Sequence, residues 1–508
     1  MVSDLGAARV GQLSPDGLWR WDGGAWQPVG RNSPAWSSLE LRSSAGWAAL
    51  LVAIAIGLLA DQWLRGGPFG LAASITVGAA AVLLVMVGGI GRSQSRLLLG
   101  AAALFAVWFT LRTSPWLIWP DLIASLGVLG LAASFSVRGS LYDLGVLELA
   151  GHALHSSLHV ATGTAYVVRP IAKARGRLTK LGPALRGLVI AIPIAALLAV
   201  LLASADPVFA SFFNLNVDLR QLALDVTFVL VGALAMAGLL RLAAAEPKRS
   251  SEGPAWRLGA TETLVVLALS DTVFAAFALA QVLAATGAAA GTLRSAGISY
   301  ADYARSGFFQ LLWVSGITLV VLFVFSRITA QSGRHSKLAL TIFGEAAVVL
   351  TVLIVAVAFR RLSLYEEAYG FTMLRLYSHI FAVWIAVVFA LLAADLAGLW
   401  PRRRWLIGAV GTSGMVVLLA LNFANPESVV VALNTKHAES THRIDATYLS
   451  ELTSDATPSL LSSLPALDPN LRGQVLSVAC AGPRSYSPSL PAFNWADAEA
   501  AEARLAGC

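Results

Sequence analysis

The chain has 508 residues, 57% of them hydrophobic and 13% charged, with a mean hydropathy of +0.71. A soluble protein covers its surface with roughly 25% charged residues, so a set of soluble domains is excluded and a polytopic membrane protein is indicated. The net charge is +7, carried by 31 Arg against 5 Lys; with abundant Ala, Gly and Leu, this bias suggests a GC-rich bacterial genome.

Residues 1–44 are polar and read as a cytoplasmic segment. Within them, Ser14-Pro15-Asp16-Gly17-Leu18-Trp19-Arg20-Trp21-Asp22-Gly23-Gly24-Ala25-Trp26-Gln27-Pro28 sets aromatic residues around an Asp-Gly pair, a short-range signal for a tight β-hairpin. A lone hairpin is marginal in water, so this one is expected to dock on a protein partner or on the membrane surface. The block resembles short Trp-Asp-Gly-x-x-Trp elements at the cytoplasmic ends of actinobacterial membrane proteins.

A membrane helix needs about 20 mostly apolar residues. Eleven such segments follow, at about 45–63, 69–90, 97–111, 117–136, 187–205, 221–243, 260–283, 307–326, 337–358, 379–399 and 405–421. The expected fold is therefore an all-α polytopic membrane bundle, with four spans in 45–136 and seven in 187–421. Basic loops stay cytoplasmic. With the N-terminus inside, the inner loops hold 19 Lys and Arg and the outer loops 8. The expectation is a multi-pass protein of the bacterial plasma membrane, N-terminus cytoplasmic and C-terminus extracytoplasmic. No cleavable signal precedes the first span, which is expected to act as its own insertion signal.

The largest inner loop, 137–186, is basic toward its end, with Arg169, Lys173, Arg175, Arg177, Lys180 and Arg186. Such a run attracts anionic lipid headgroups, although simple topology-setting accounts for it equally well. Upstream, Glu148, His152, His155 and His159 fall on one helical stripe. Imidazoles three or four residues apart can share a metal ion. The reading preferred here is the polar face of an interfacial helix, with Leu144, Leu147, Leu154 and Leu158 toward lipid.

Ionisable groups at membrane depth are costly and point to function. Asp271 lies at the middle of the seventh span and Glu345 near the middle of the ninth, with no cationic residue at the centre of any span. They either bind or relay a proton or cation, or act as neutral acids bonding neighbouring helices; Ser270 and Thr272 offer local partners to Asp271. Two outer loops are rich in Arg and Tyr. One supplies Tyr300 and Arg305; the other supplies Arg360, Arg361, Tyr369 and Arg375. These groups suit anionic or sugar-like ligands, but an interfacial aromatic belt with snorkelling Arg gives the same composition. The basic excess of the second loop suggests that the acidic tail docks there, through Arg360 and Arg361.

That tail, 422–508, reads as a small helical extracytoplasmic domain. Short helices are expected at Asp445–Leu452, at Thr457–Leu461 with Pro458 in its first turn, and from Asn494 to Leu505 with Asn494 as N-cap. Cys480 and Cys508 both lie in it, and paired thiols in an oxidising compartment commonly form a disulfide. Neither a cofactor nor a nucleic-acid partner is indicated.

Several blocks carry a family resemblance: Ala203-Ser204-Ala205-Asp206-Pro207-Val208-Phe209, Tyr300–Phe309, Tyr365–Thr372, Asp445–Leu460 and Phe493-Asn494. Together they resemble an uncharacterised family of bacterial polytopic membrane proteins, the domain of unknown function numbered four-one-seven-three, over roughly residues 185–508. The resemblance implies a bacterial membrane protein and carries no activity. Three function classes follow. A permease or proton/cation-coupled transporter leads on the mid-membrane carboxylates. A cell-envelope scaffold or signalling protein comes second, because both ends bear docking-like elements. A membrane-embedded enzyme comes third, since no Ser/His pair stands out in the sequence.

Overall fold

A computed structural model describes residues 43–65, 69–136, 156–174, 219–245, 258–285, 308–329, 334–400 and 405–508. It also describes two short strands, Leu41 and a few single helical positions between 191 and 202. The strands, β1 (Trp19–Trp21) and β2 (Trp26–Pro28), pair antiparallel, with Trp19 opposite Pro28 and Trp21 opposite Trp26.

The bundle begins with α1 (Trp47–Arg65), α2 (Leu71–Met86), α3 (Ser93–Leu111) and α4 (Pro115–Ser134). Two short helices, α5 (Gly163–Val167) and α6 (Arg169–Ala174), precede α7 (Leu219–Ala243). Then come α8 (Ala260–Ala285), α9 (Phe308–Ile328), α10 (Arg334–Tyr369), α11 (Met373–Leu396) and α12 (Trp405–Ala424). Among the described residues nine helices are long and apolar enough to cross a membrane, and α2 is a shorter apolar helix of 16 residues. The protein is an all-α polytopic bundle, integral to a membrane. The expected span at 187–205 lies outside the described residues.

Two apolar clusters hold the bundle. One joins α1–α4 and α7 through residues such as Val52, Leu84, Phe109, Leu129 and Leu240; the other joins α8–α12 through Leu267, Val348, Ile385, Phe389 and Leu406. Lipid offers no hydrophobic drive between helices, so close approach depends on small residues. Gly57 of α1 and Gly232 of α7 meet in this way, and a side chain on Gly57 would strike the Val229 carbonyl.

Helix α10 is the main departure from the expected boundaries. It has 36 residues, about 54 Å at 1.5 Å per residue, against a hydrocarbon core of about 30 Å. Its last turns therefore project beyond the apolar segment. The helix ends at Gly370, whose φ of +77° is a left-handed cap that favours glycine.

The tail forms α13 (Pro426–Thr441), α14 (Ala446–Leu449), α15 (Thr457–Ser463), α16 (Pro469–Ala479) and α17 (Trp495–Gly507) around Val431, Leu449, Leu460, Leu471 and Val475. Asn425 starts α13, ahead of Pro426, and Asn494 starts α17, accepting from the Ala496 amide at 2.9 Å. A disulfide joins Cys480 to Cys508.

Candidate functional site

The tail sits on one end of the bundle, where three interhelical turns meet it. At the α1–α2 turn, the Leu71 amide donates to the Phe493 carbonyl at 2.9 Å. The Asn494 side-chain amide donates to the carbonyls of Phe69, Phe109 and Arg112, at 3.3, 3.1 and 2.9 Å. At the α3–α4 turn, one oxygen of Asp455 accepts from the Thr113 and Ser114 amides at 2.7 Å each, and Arg112 pairs with the other at 3.4 Å. The Asp455 carboxylate thus caps the first turn of α4, where free amides and the helix dipole favour negative charge. At the α10–α11 turn, Asn434 and Phe371 exchange two bonds of 2.8 and 2.9 Å, and the Met373 amide donates to the Tyr448 hydroxyl at 2.6 Å.

This junction corrects the expected docking through Arg360 and Arg361. The Arg361 guanidinium donates to Gln281 of α8 at 3.3 Å, and Arg360 is exposed. Arg375 donates to the Tyr369 carbonyl and stacks over the Tyr365 ring at 4.3 Å. Glu427, at the start of α13, is 1% exposed and accepts from the Thr453 amide and hydroxyl at 2.8 and 2.9 Å. Burial pushes its carboxyl above the ordinary value, against the pull of a hydrogen bond from Ser114, and the nearby Asp455 raises it further. Deeper in the bundle, Asn422 of α12 donates to Asp121 of α4 at 2.8 Å, both residues fully buried.

A cleft of about 700 Å³ opens between the end of α10 and the tail, lined by Tyr369, Asn434, His437, Arg443, Asp445 and Gln474 among others. Tyr369 is thus the residue of the second Tyr/Arg loop that faces a cavity. Tyr300, Arg305, His152 and His155 lie outside the described residues. His159 is buried, beside Val160, which packs on Gly238 of α7. No group of three or more metal-ligating side chains occurs among the described residues.

In α8, Thr263, Leu267 and Asp271 are buried at intervals of four, the stripe that faces α10. Neither carboxylate oxygen of Asp271 has a hydrogen-bond partner among the described residues. Ser270 and Thr272 do not serve it; their hydroxyls turn back to the Val266 and Ala268 carbonyls. The Gln281–Arg361 contact sets the register of the two helices and places Thr351, not Glu345, opposite Asp271. Glu345 lies six residues nearer the start of α10, about 9 Å along the axis. The structure does not bring the two acids together.

It does bring together three groups that the sequence reading missed. Ser363 of α10 and His379 of α11 stand eight residues on either side of Phe371, so the helical hairpin sets them opposite each other. The Ser363 hydroxyl lies 3.2 Å from His379 Nε2, and Nδ1 of the same ring lies 3.1 Å from Glu366 Oε1. Glu366, one turn after Ser363, is 4% exposed. The available signal was the Ser-x-x-Glu spacing with a histidine at the mirror position across the turn. It was obscured because α10 was expected to stop near residue 358.

Fold and junction define a multi-pass helical membrane protein with a structured C-terminal unit seated on one end of its bundle. The chain matches the model of a domain of unknown function, DUF4153, over residues 99–463, and it belongs to that family. This corrects the family number expected from the sequence blocks. It also moves the start of the match upstream into α3 and its end to α15, leaving Phe493-Asn494 beyond it. No curated protein and no solved structure matches the chain.

Proposed function

We propose that the protein is a permease of the bacterial plasma membrane that couples solute movement to a proton or cation at Asp271, with its N-terminus inside and its tail outside. The observation that carries this reading is the Asp271 carboxylate, buried on the α10-facing stripe with neither oxygen hydrogen-bonded to a described residue. An intramembrane acid without a partner is costly unless a cation or proton occupies it. Glu345, also with a buried unpartnered oxygen, stands as a second station on α10. Tyr369, with Tyr300, Arg305, Arg360, Arg361 and Arg375, supplies the outer ligand-facing groups, and the basic run 169–186 rests on anionic headgroups.

The sidedness is supported by charge and by direction. Ser136, just past the end of α4, donates to the Ala243 carbonyl at the end of α7. The two helices therefore run the same way, which one crossing at 187–205 accounts for. The test uses proteoliposomes holding a pH-sensitive dye, screened against gradients of amino acids, sugars, nucleosides and organic acids. Wild type is expected to move protons with at least one class, and Asp271→Asn to lower that flux by about tenfold or more. Equal flux in the variant, or no flux with any class, contradicts the reading. A scaffold or signalling role in the envelope is the second reading, favoured by the tail's bonds to three separate turns and by the paired N-terminal strands.

A further inference from the structure

We propose that Ser363, His379 and Glu366 form a nucleophilic site for acyl esters of anionic glycerophospholipids, in the leaflet on the tail's side of the membrane. The proposal does not rest on the permease reading. A serine nucleophile needs a base within hydrogen-bond reach, and the base needs a third group to orient it. Here the separations are 3.2 Å from Ser363 Oγ to His379 Nε2 and 3.1 Å from Nδ1 to Glu366 Oε1. With Glu366 ionised, Nδ1 donates to the carboxylate, which leaves the Nε2 lone pair to accept from the serine. The Phe359 ring meets the imidazole edge-on at 4.3 Å and fixes its plane.

Depth and exposure select the substrate. The apolar run of α10 ends at Phe359 and is followed by Arg360 and Arg361. Ser363 lies four residues further, about 6 Å along the helix. That falls within the roughly 5–7 Å interfacial layer outside the hydrocarbon, where phospholipid ester carbonyls lie. Ser363 is half-buried, while Phe359, Arg360 and Leu364 around it are exposed, so the site opens toward lipid. Arg360 is three residues before Ser363 and therefore its neighbour on the helix surface. Its guanidinium is placed to hold a lipid phosphate or a developing oxyanion.

Ser363 Oγ attacks the ester carbonyl carbon while its proton passes to His379 Nε2. The tetrahedral intermediate then expels the glycerol oxygen, which leaves with that proton, and an acyl-serine remains. Water, deprotonated by His379, hydrolyses the acyl-serine and releases the fatty acid. At rest the Ser363 hydroxyl also donates to the Phe359 carbonyl at 3.1 Å, a back-bond that must break before attack. Glu366 is a positioning residue.

The test is fluorophosphonate labelling of the full-length protein in phospholipid nanodiscs, with the adduct located by mass on the peptide containing Ser363. Wild type is expected to label, Ser363→Ala not at all, and His379→Gln about 100-fold more slowly or worse. Glu366→Gln should shift the pH profile of labelling rather than merely lower its yield. In parallel, fluorogenic phosphatidylglycerol and a short water-soluble ester separate a lipid substrate from a free one; turnover of the soluble ester alone overturns the lipid assignment. No label on wild type, or equal label on Ser363→Ala with unchanged gel-filtration behaviour, overturns the site and leaves His379–Glu366 as a strut between two helices.

Discussion

Asn494 does two jobs with one side chain. Its oxygen caps α17, while its amide nitrogen is shared among three carbonyls from the α1–α2 and α3–α4 turns. Removing it leaves buried acceptors unpaired, which costs about 1–3 kcal/mol. Asn494→Ala should therefore release the tail to protease and lower the melting temperature. Asn494→Asp, which keeps the cap and loses the donors, should do nearly the same. Wild-type protease resistance in both variants contradicts this account of the junction. Glu427 adds a pH dependence of known sign. Its buried carboxyl is raised above the ordinary value. Its contribution is therefore complete below the unfolded value and declines as pH rises through the folded one. Thermal stability should fall on going from mildly acidic to neutral pH, and Glu427→Gln, which mimics the protonated form, should flatten that fall. A steeper fall in the variant reverses the assignment. Of these residues, Asn494 was legible from its position before a helical stretch. Glu427 was not, because nothing in its neighbours reveals that the α3–α4 turn covers it.

At the scale of elements, periodicity and hydropathy located the spans because each is a long apolar run bounded by charge. They failed where a helix continues past the apolar run. The last turns of α10 carry Arg360, Arg361, Glu366 and Glu367, which read as loop. In the structure they remain helical because α11 and the tail cover one side, with Leu362 and Glu366 buried. Helix α13 was missed for a related reason: it is half-polar, and its start at Asn425-Pro426 was read as the beginning of a loop, although an Asn before Pro suits an N-cap. The Ser363–His379–Glu366 cluster fell into the same gap. Two residues eight positions either side of a turn meet only if both arms are helical through them, so a misplaced helix end hides the contact. Asp271 and Glu345 were legible as intramembrane acids from hydropathy alone. Their separation was not, since sequence carries no register between helices.

For the whole molecule, the arrangement of ends is the main result. The turns α1–α2, α3–α4 and α10–α11 all contact the tail, so they share one side of the membrane with it. The ends of α4 and α7 meet on the other, as do Arg327 of α9 and Asp395 of α11 at 3.1 Å. Charge counts assign the tail's side to the exterior, and the permease reading, the outer cleft and the lipid-ester site all depend on that assignment. The most direct measurement is thiol labelling of Cys480 and Cys508 in intact cells with a membrane-impermeant reagent, before and after reduction. Labelling from outside, and only after reductant, is the predicted result. Labelling that requires permeabilisation but no reductant would contradict it, placing the tail inside and moving the scaffold reading ahead of transport.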